Sequence, residues 1–203
     1  MSRQRIISIG RRFGSGGHEI AKILAKRLSL PLYDANILAE VAKKNDMTYE
    51  ELMHYDEQRI PAFLSKPVRS FSSFLEVNVA EAQFHAIRQH AEAGDGESFV
   101  IVGRCADTVL DSYPGLISLF ITADESSRTA RTAELYHISE KKAAAMNRKV
   151  DARRRSYHDY FCERKWGHAD TYDLVLKENT VGIEHTAELI ERYIAFRDAV
   201  EQN

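Results

Sequence analysis

Cysteine and proline are scarce in this chain: two cysteines, Cys105 and Cys162, and four prolines in 203 residues. Two cysteines cannot supply a disulfide framework, so the fold has to rest on an apolar core. Each cysteine reads as a small buried hydrophobe, with no histidine at a useful spacing. No apolar run approaches the ~18 residues of a membrane span, and the first residues lack the apolar stretch of a signal peptide. The expectation is a cytoplasmic protein of a reducing compartment with no membrane partner. Charge of one sign is missing too: 28 Lys and Arg balance 30 Asp and Glu, a net −2, so no global field favours nucleic acid. The one basic run, Arg148, Lys149, Arg153, Arg154 and Arg155, is short. No repeat or low-complexity segment interrupts the chain, and its length fits a single domain over 1–203.

What is present is organised around residues 5–28. Ile6, Ile7 and Ile9 make a β-branched run that reads as a strand buried on both faces. Gly14, Gly16 and Gly17 follow, and then Ile20, Ile23, Leu24 and Leu28 mark the apolar stripe of a helix. A buried strand, a glycine turn and a helix N-terminus form an anion site, because glycines let backbone N–H groups converge on the bound charge. The segment therefore reads as a phosphate-binding loop.

Short apolar runs then alternate with helical stretches. Leu30–Asp34 reads as a strand that closes on Asp34, which either faces the ligand or caps a helix starting near Ile37. That helix, with Leu38 and Val41, ends near Asn45, and Thr48–Glu51 starts another toward His54. Residues 59–73, with Pro61 and Pro67, have no clean period and read as a mobile loop. A helix is expected over 74–93 with Ala80, Phe84, Ile87 and Ala91 on one face. Strands follow at Phe99–Gly103, running into Arg104, and at Leu116–Ile121, after which Asp124 is placed to cap the next helix. That helix carries Arg128 and Arg131 one turn apart, Ser139 opens a longer one, and Tyr172–Leu176 with its strand-end Asp173 and a closing helix through Ile183, Ala187, Ile190 and Ile194 complete the pattern. Alternation of this kind indicates an α/β domain with about five mainly parallel strands. The stretches 35–94 and 139–165 are too long for simple crossovers and read as insertions able to close over a ligand.

As a dinucleotide fingerprint the loop fails, since Glu19 stands where the third glycine should be. It also departs from GxxxxGK[ST]: the first glycine is missing, Gly17 takes the place of the lysine, and Glu19 is read as standing in for the magnesium-binding Ser or Thr. Ile7-Ser8-Ile9-Gly10-Arg11 with Gly14-Ser15-Gly16-Gly17-His18-Glu19-Ile20 resembles instead the cytidylate-kinase-like family, a lysine-less branch of the P-loop nucleoside monophosphate kinases. The resemblance extends to Pro31–Asp34, to Val102-Gly103-Arg104, to Arg128 and Arg131, to Asp151–Tyr157 with Arg154 at the motif arginine, and to Tyr172-Asp173-Leu174.

The resemblance implies a P-loop kinase three-layer sandwich with an acceptor-binding insertion at 35–94 and a lid-like region at 139–165. It implies transfer of the ATP γ-phosphate, with Mg²⁺, to CMP or a related monophosphate, and nucleotide substrates as the partners, with a homo-oligomer open. Phosphoryl transfer is chiefly positioning and charge neutralisation. The donor-binding set is Arg12, Gly14, Ser15, Gly16, Gly17, His18 and Glu19, with Glu19 also the candidate metal ligand because hard cations prefer oxygen. Arg11, Arg153 and Arg154 are the candidates to supply the missing lysine's charge, against a plain reading as solvated arginines. Asp34 and Arg104 are expected on the acceptor side, Arg104 alternatively in an ion pair with Asp107 or Asp34. A nucleotide sensor without turnover, or a kinase of a non-nucleotide acceptor, remains open at this stage.

Overall fold

A computed structural model describes residues 4–34, 74–92 and 96–201 of the chain. The expected helices at 37–45 and 48–54, and the segment 59–73, lie outside the described residues. Five parallel strands form one sheet in the order β2-β3-β1-β4-β5: β1 Ile6–Arg11, β2 Leu32–Tyr33, β3 Phe99–Val102, β4 Leu116–Thr122 and β5 Leu174–Lys177. The helices are α1 Gly17–Arg27, α2 Phe74–Glu92, α3 Ala106–Val109, α4 Glu125–Tyr136, α5 Glu140–Phe161 and α6 Ile183–Glu201.

The isoleucine run occupies the centre because neither of its faces tolerates water. Ile6 points to one side, packed with Phe99, Ile101 and Leu116 against Ala86, Ile87 and Ala91 of α2. Ile7 and Ile9 point to the other, packed with Val100, Val102 and Leu119 against Leu24 of α1 and Ile190 of α6. The α/β/α layering of a P-loop kinase fold follows from this alternation. β1 has β3 on one side and β4 on the other, so the chain leaves it in both directions. The crevice at its C-terminal end is where ligands sit in open parallel sheets. Among the described residues no helix is long and apolar enough to cross a membrane.

One local expectation needs correction. Asp124 does occupy the N-cap position of α4, but its carboxylate caps nothing; it pairs with Lys177 Nζ at 2.6 Å and accepts from Asn179 Nδ2 at 2.9 Å. It fastens the ends of β4 and β5. Asp173 lies at the start of β5, where it accepts from Ser118 N at 2.7 Å and Oγ at 2.9 Å, at the sheet edge away from the loop. The span 139–165 contains one unbroken helix, α5, whose Val150, Asp151, Arg154, Tyr157 and His158 are buried.

Candidate functional site

The loop after β1 turns through two left-handed glycines, Gly14 at φ 74° and Gly16 at φ 68°. A side chain on Gly14 would also strike the Arg128 carbonyl and Thr132 Oγ1, both 2.7 Å from the position of a Cβ. The first hydrogen bond of the helix ladder runs from Ile20 N to Gly16 O at 3.0 Å. The amides of Gly17, His18 and Glu19 therefore precede the ladder and carry the positive end of the α1 dipole. Arg11 through Glu19 line a cavity of about 230 Å³ with Arg131, Thr132, Leu135, Tyr136 and Arg154.

Side chains from α4 and α5 strap this loop in place. Arg128 Nη1 donates to Phe13 O at 3.1 Å and to Asp151 Oδ2 at 2.7 Å, while Asp151 Oδ1 accepts from Phe13 N at 2.7 Å. Arg131 Nη1 donates to Gly14 O and pairs with the buried Glu178, each at 2.7 Å. Arg154 Nη1 donates to Arg11 O at 3.2 Å, and its guanidinium lies 5.5 Å from the centre of the Phe13 ring. The Ser15 hydroxyl is turned inward, donating to Arg12 O at 2.8 Å and Ile121 O at 3.1 Å. Ser15 shapes the loop by that inward contact.

Gly17 is required for a different reason from its neighbours. A Cβ there would stand 2.6 Å from Arg11 Cβ. The stem of Arg11 thus fills the space that a side chain at the lysine position needs. Arg11 is itself buried, at the end of the central strand. The strict lysine-loop spacing also places His18, not Glu19, at the Ser or Thr position. Glu19 is one residue further on, exposed on the first turn and still at the cavity wall. His18 Nε2 lies 3.6 Å from Asp34 Oδ2, so β2 does bring Asp34 to the loop. Burial and then Lys22 push the His18 imidazole below its usual range, against the pull of Asp34.

At the end of β3 three successive residues are left-handed: Gly103 (φ 75°), Arg104 (φ 61°) and Cys105 (φ 53°). Two of them carry a Cβ, a conformation that costs about 1–2 kcal/mol per residue and that persists where surrounding contacts fix it. Arg104 is fully buried and donates to Gln83 Oε1 of α2 at 3.3 Å. Asp107, an alternative partner for it in the sequence, pairs instead with His158 at 2.9 Å. Burial lowers the His158 pKa, but the hydrogen bond to Asp107 and the nearby Cys162 thiol outweigh it and raise the group to about 10.

A second cavity lies here, only about 10 Å³ and so of single-water size, lined among others by Gly10, Arg11, Arg104, Asp107, Arg154 and His158. Arg11 and Arg154 line both cavities. Arg153 lines neither, although it is adjacent in sequence. Sequence reasoning placed Asp151 in the block around Arg154 but gave it no role, and did not single out Glu178, Tyr136 or His158 as part of the site. Only the last left a signal, since His158 and Cys162 stand four apart on a helix, the spacing of side-chain neighbours. The expectation that neither cysteine has a useful histidine is therefore overturned for Cys162.

Comparison with known proteins places this geometry. A crystal structure of an uncharacterized protein from Eubacterium ventriosum is 38% identical, with a TM-score of 0.74 over 95% of this chain and 99% of that one. Shikimate kinase from Bacteroides thetaiotaomicron shares the fold at 12% identity, with a TM-score of 0.56 over 94% of this chain and 98% of its own. A cytidylate kinase from Methanococcus vannielii is 25% identical over 193 residues, 93% of this chain and 99% of that protein. The family model for cytidylate kinase-like proteins matches residues 6–180, from the first residue of β1 to the turn that follows β5. With the whole sheet and both cavities inside that match, the chain belongs to the cytidylate kinase-like family.

Proposed function

We propose that this protein transfers the γ-phosphoryl group of ATP to CMP or a related monophosphate. The observation that carries the reading is the position of Arg11 and Arg154 on the wall shared by the loop cavity and the Arg104 cavity. With a donor tail on the loop amides and an acceptor phosphate on the Arg104 side, which requires the water-sized cavity there to widen, the group in transit passes between these two guanidiniums. Charge developing on its oxygens is stabilised where donors are already fixed and need not reorganise. Arg11 supplies the cation that other P-loop kinases take from lysine, delivered from the strand end because its stem excludes a side chain at Gly17. Arg154 is the second cation, held over Phe13. Arg12, Gly14, Gly16, Gly17 and His18 complete the donor cradle, and Asp34 faces it from β2.

Mg²⁺ fits the donor side, because Glu19 puts a carboxylate on the loop cavity wall and the remaining ligands would be phosphate oxygens and water. Bound there, the ion would neutralise the donor phosphates. The reading of a nucleotide sensor without turnover draws on Gly17 alone; the Arg11 stem packed against Gly17 supports turnover instead.

A coupled ADP-release assay across CMP, dCMP, UMP, AMP and GMP tests the proposal. Turnover with CMP or dCMP above the purine monophosphates is expected. Tight ATP binding with no ADP release from any of the five would overturn it in favour of a sensor or of a non-nucleotide acceptor.

A further inference from the structure

The phosphoryl-transfer reading leaves unused a cluster behind the Arg104 turn. Cys105 follows Arg104 in the left-handed stretch, and Cys162 is the C-cap of α5. Neither cysteine is in a disulfide, and both are buried in one apolar cluster with Ala80, Phe84 and Tyr157. The Cys162 thiol lies against Cys105, His158 and Thr108. Two buried polar atoms at this point, Thr108 Oγ1 and His158 Nδ1, have no hydrogen-bond partner among the described residues. Buried donors without acceptors are costly, and a sulfur anion at Cys162 would serve both. Asp107 holds the other ring nitrogen, Nε2, at 2.9 Å, and Asp159 Oδ1 stands 3.7 Å from Nδ1.

We propose that Cys105 and Cys162 form an oxidisable dithiol, a modification site for small peroxide-class oxidants, whose closure to a disulfide ties the Arg104 turn to the end of α5. The thiol contact with Cys105, and then the His158 imidazole and the Thr108 hydroxyl, lower the Cys162 thiol below its ordinary range against the opposing effect of burial, which favours the thiolate that reacts. The thiolate attacks one oxygen of hydrogen peroxide. The O–O bond breaks, hydroxide leaves and takes up a proton as water, and Cys162 becomes a sulfenic acid. Cys105 sulfur then attacks the Cys162 sulfur. The S–S bond forms, the S–O bond breaks, and the departing hydroxide leaves as water with the Cys105 proton. Two thiols are oxidised and one peroxide is reduced to two waters. Cys105 and Arg104 share one strained turn, and Cys162 ends the helix that carries Arg154. The bond therefore fixes the two arginine-bearing elements to each other.

The consequence for turnover rests on the kinase reading; the bond itself does not. The full-length protein treated with hydrogen peroxide, with residual thiols alkylated under denaturing conditions, is read by intact mass and peptide mapping. Expected is a product lighter by two hydrogen atoms, with a peptide linking residues 105 and 162 that dithiothreitol separates. Peroxide-treated Cys105→Ala should stop at a sulfenic acid on Cys162 that dimedone traps. Unreacted thiols, sulfinic acid without a link, or a link between two molecules would each overturn the dithiol, whatever the ATP assay gives. If the link forms, CMP turnover should fall about tenfold to a hundredfold, as expected for misplaced catalytic groups, and return on reduction. Turnover that is unchanged by a mapped link would overturn the coupling of this bond to the site.

Discussion

The two ends of the site are built in opposite ways. The loop after β1 is local: strand, glycines and helix start are contiguous from Ile6 to Glu19, and its cations include its own Arg11 and Arg12. The Arg104 side is assembled from α2, α3 and α5, whose contributing residues Gln83, Asp107 and His158 are far apart in the chain. The loop's backbone conformation is permitted by glycine, whereas the Arg104 turn holds two side-chain-bearing residues at positive φ and depends on its neighbours. A phosphate cradle can thus be written as a motif, but the second half of the site is fixed only by packing. Even the local half is not self-sufficient, since Arg128, Arg131, Asp151 and Arg154 bind its backbone from α4 and α5.

The sharpest way to break this contrast is to cut the strap. Asp151→Ala leaves Arg128 buried without its carboxylate and should cost about 3–5 kcal/mol, read as a shift in guanidinium unfolding. A loss under ~1 kcal/mol would mean that the loop holds its shape unaided. Next in size, Arg11→Ala should lower kcat by about 10²–10³, the scale of one fixed donor to transition-state charge. Unchanged turnover in a folded variant would remove Arg11 as the lysine's substitute.

Gly17→Ala should destabilise by about 1–3 kcal/mol through overpacking on the Arg11 stem. That cost should shrink in an Arg11→Gly background, and two additive substitutions would sink the steric account. The last test concerns the far half. His158 is raised above its ordinary 6.5 to about 10, so its contribution to stability is complete below 6.5 and is lost as pH rises through about 10. The stability gap between the wild type and His158→Gln should therefore narrow across that window, and a gap independent of pH would show that the imidazole is not held charged.

Much of this was readable in order along the chain. Ile6, Ile7 and Ile9 announce a strand with two buried faces, and Ala80, Phe84, Ile87 and Ala91 give the buried face of α2. Asp124 was misread because its type and place suit a cap, whereas Lys177 and Asn179 from the neighbouring strand end offered it stronger partners. The four-residue spacing of His158 and Cys162 was readable, but Asp107, which holds that imidazole, comes from a segment about fifty residues away. The basic run at 148–155 carried charge but no direction, and folding divided it. Arg148 stays exposed beside Glu125, Arg154 is buried under the loop, and Arg155 lies over Trp166.

The sequence by itself determined the parallel α/β sheet and the phosphate loop at the end of its first strand, because apolar periodicity and glycine act over a few residues. Only the tertiary structure decided which arginines stand between the two cavities, why position 17 has no side chain, and which cysteine meets a histidine. Those outcomes depend on side chains from distant segments competing for one small volume, and no local spacing encodes that competition.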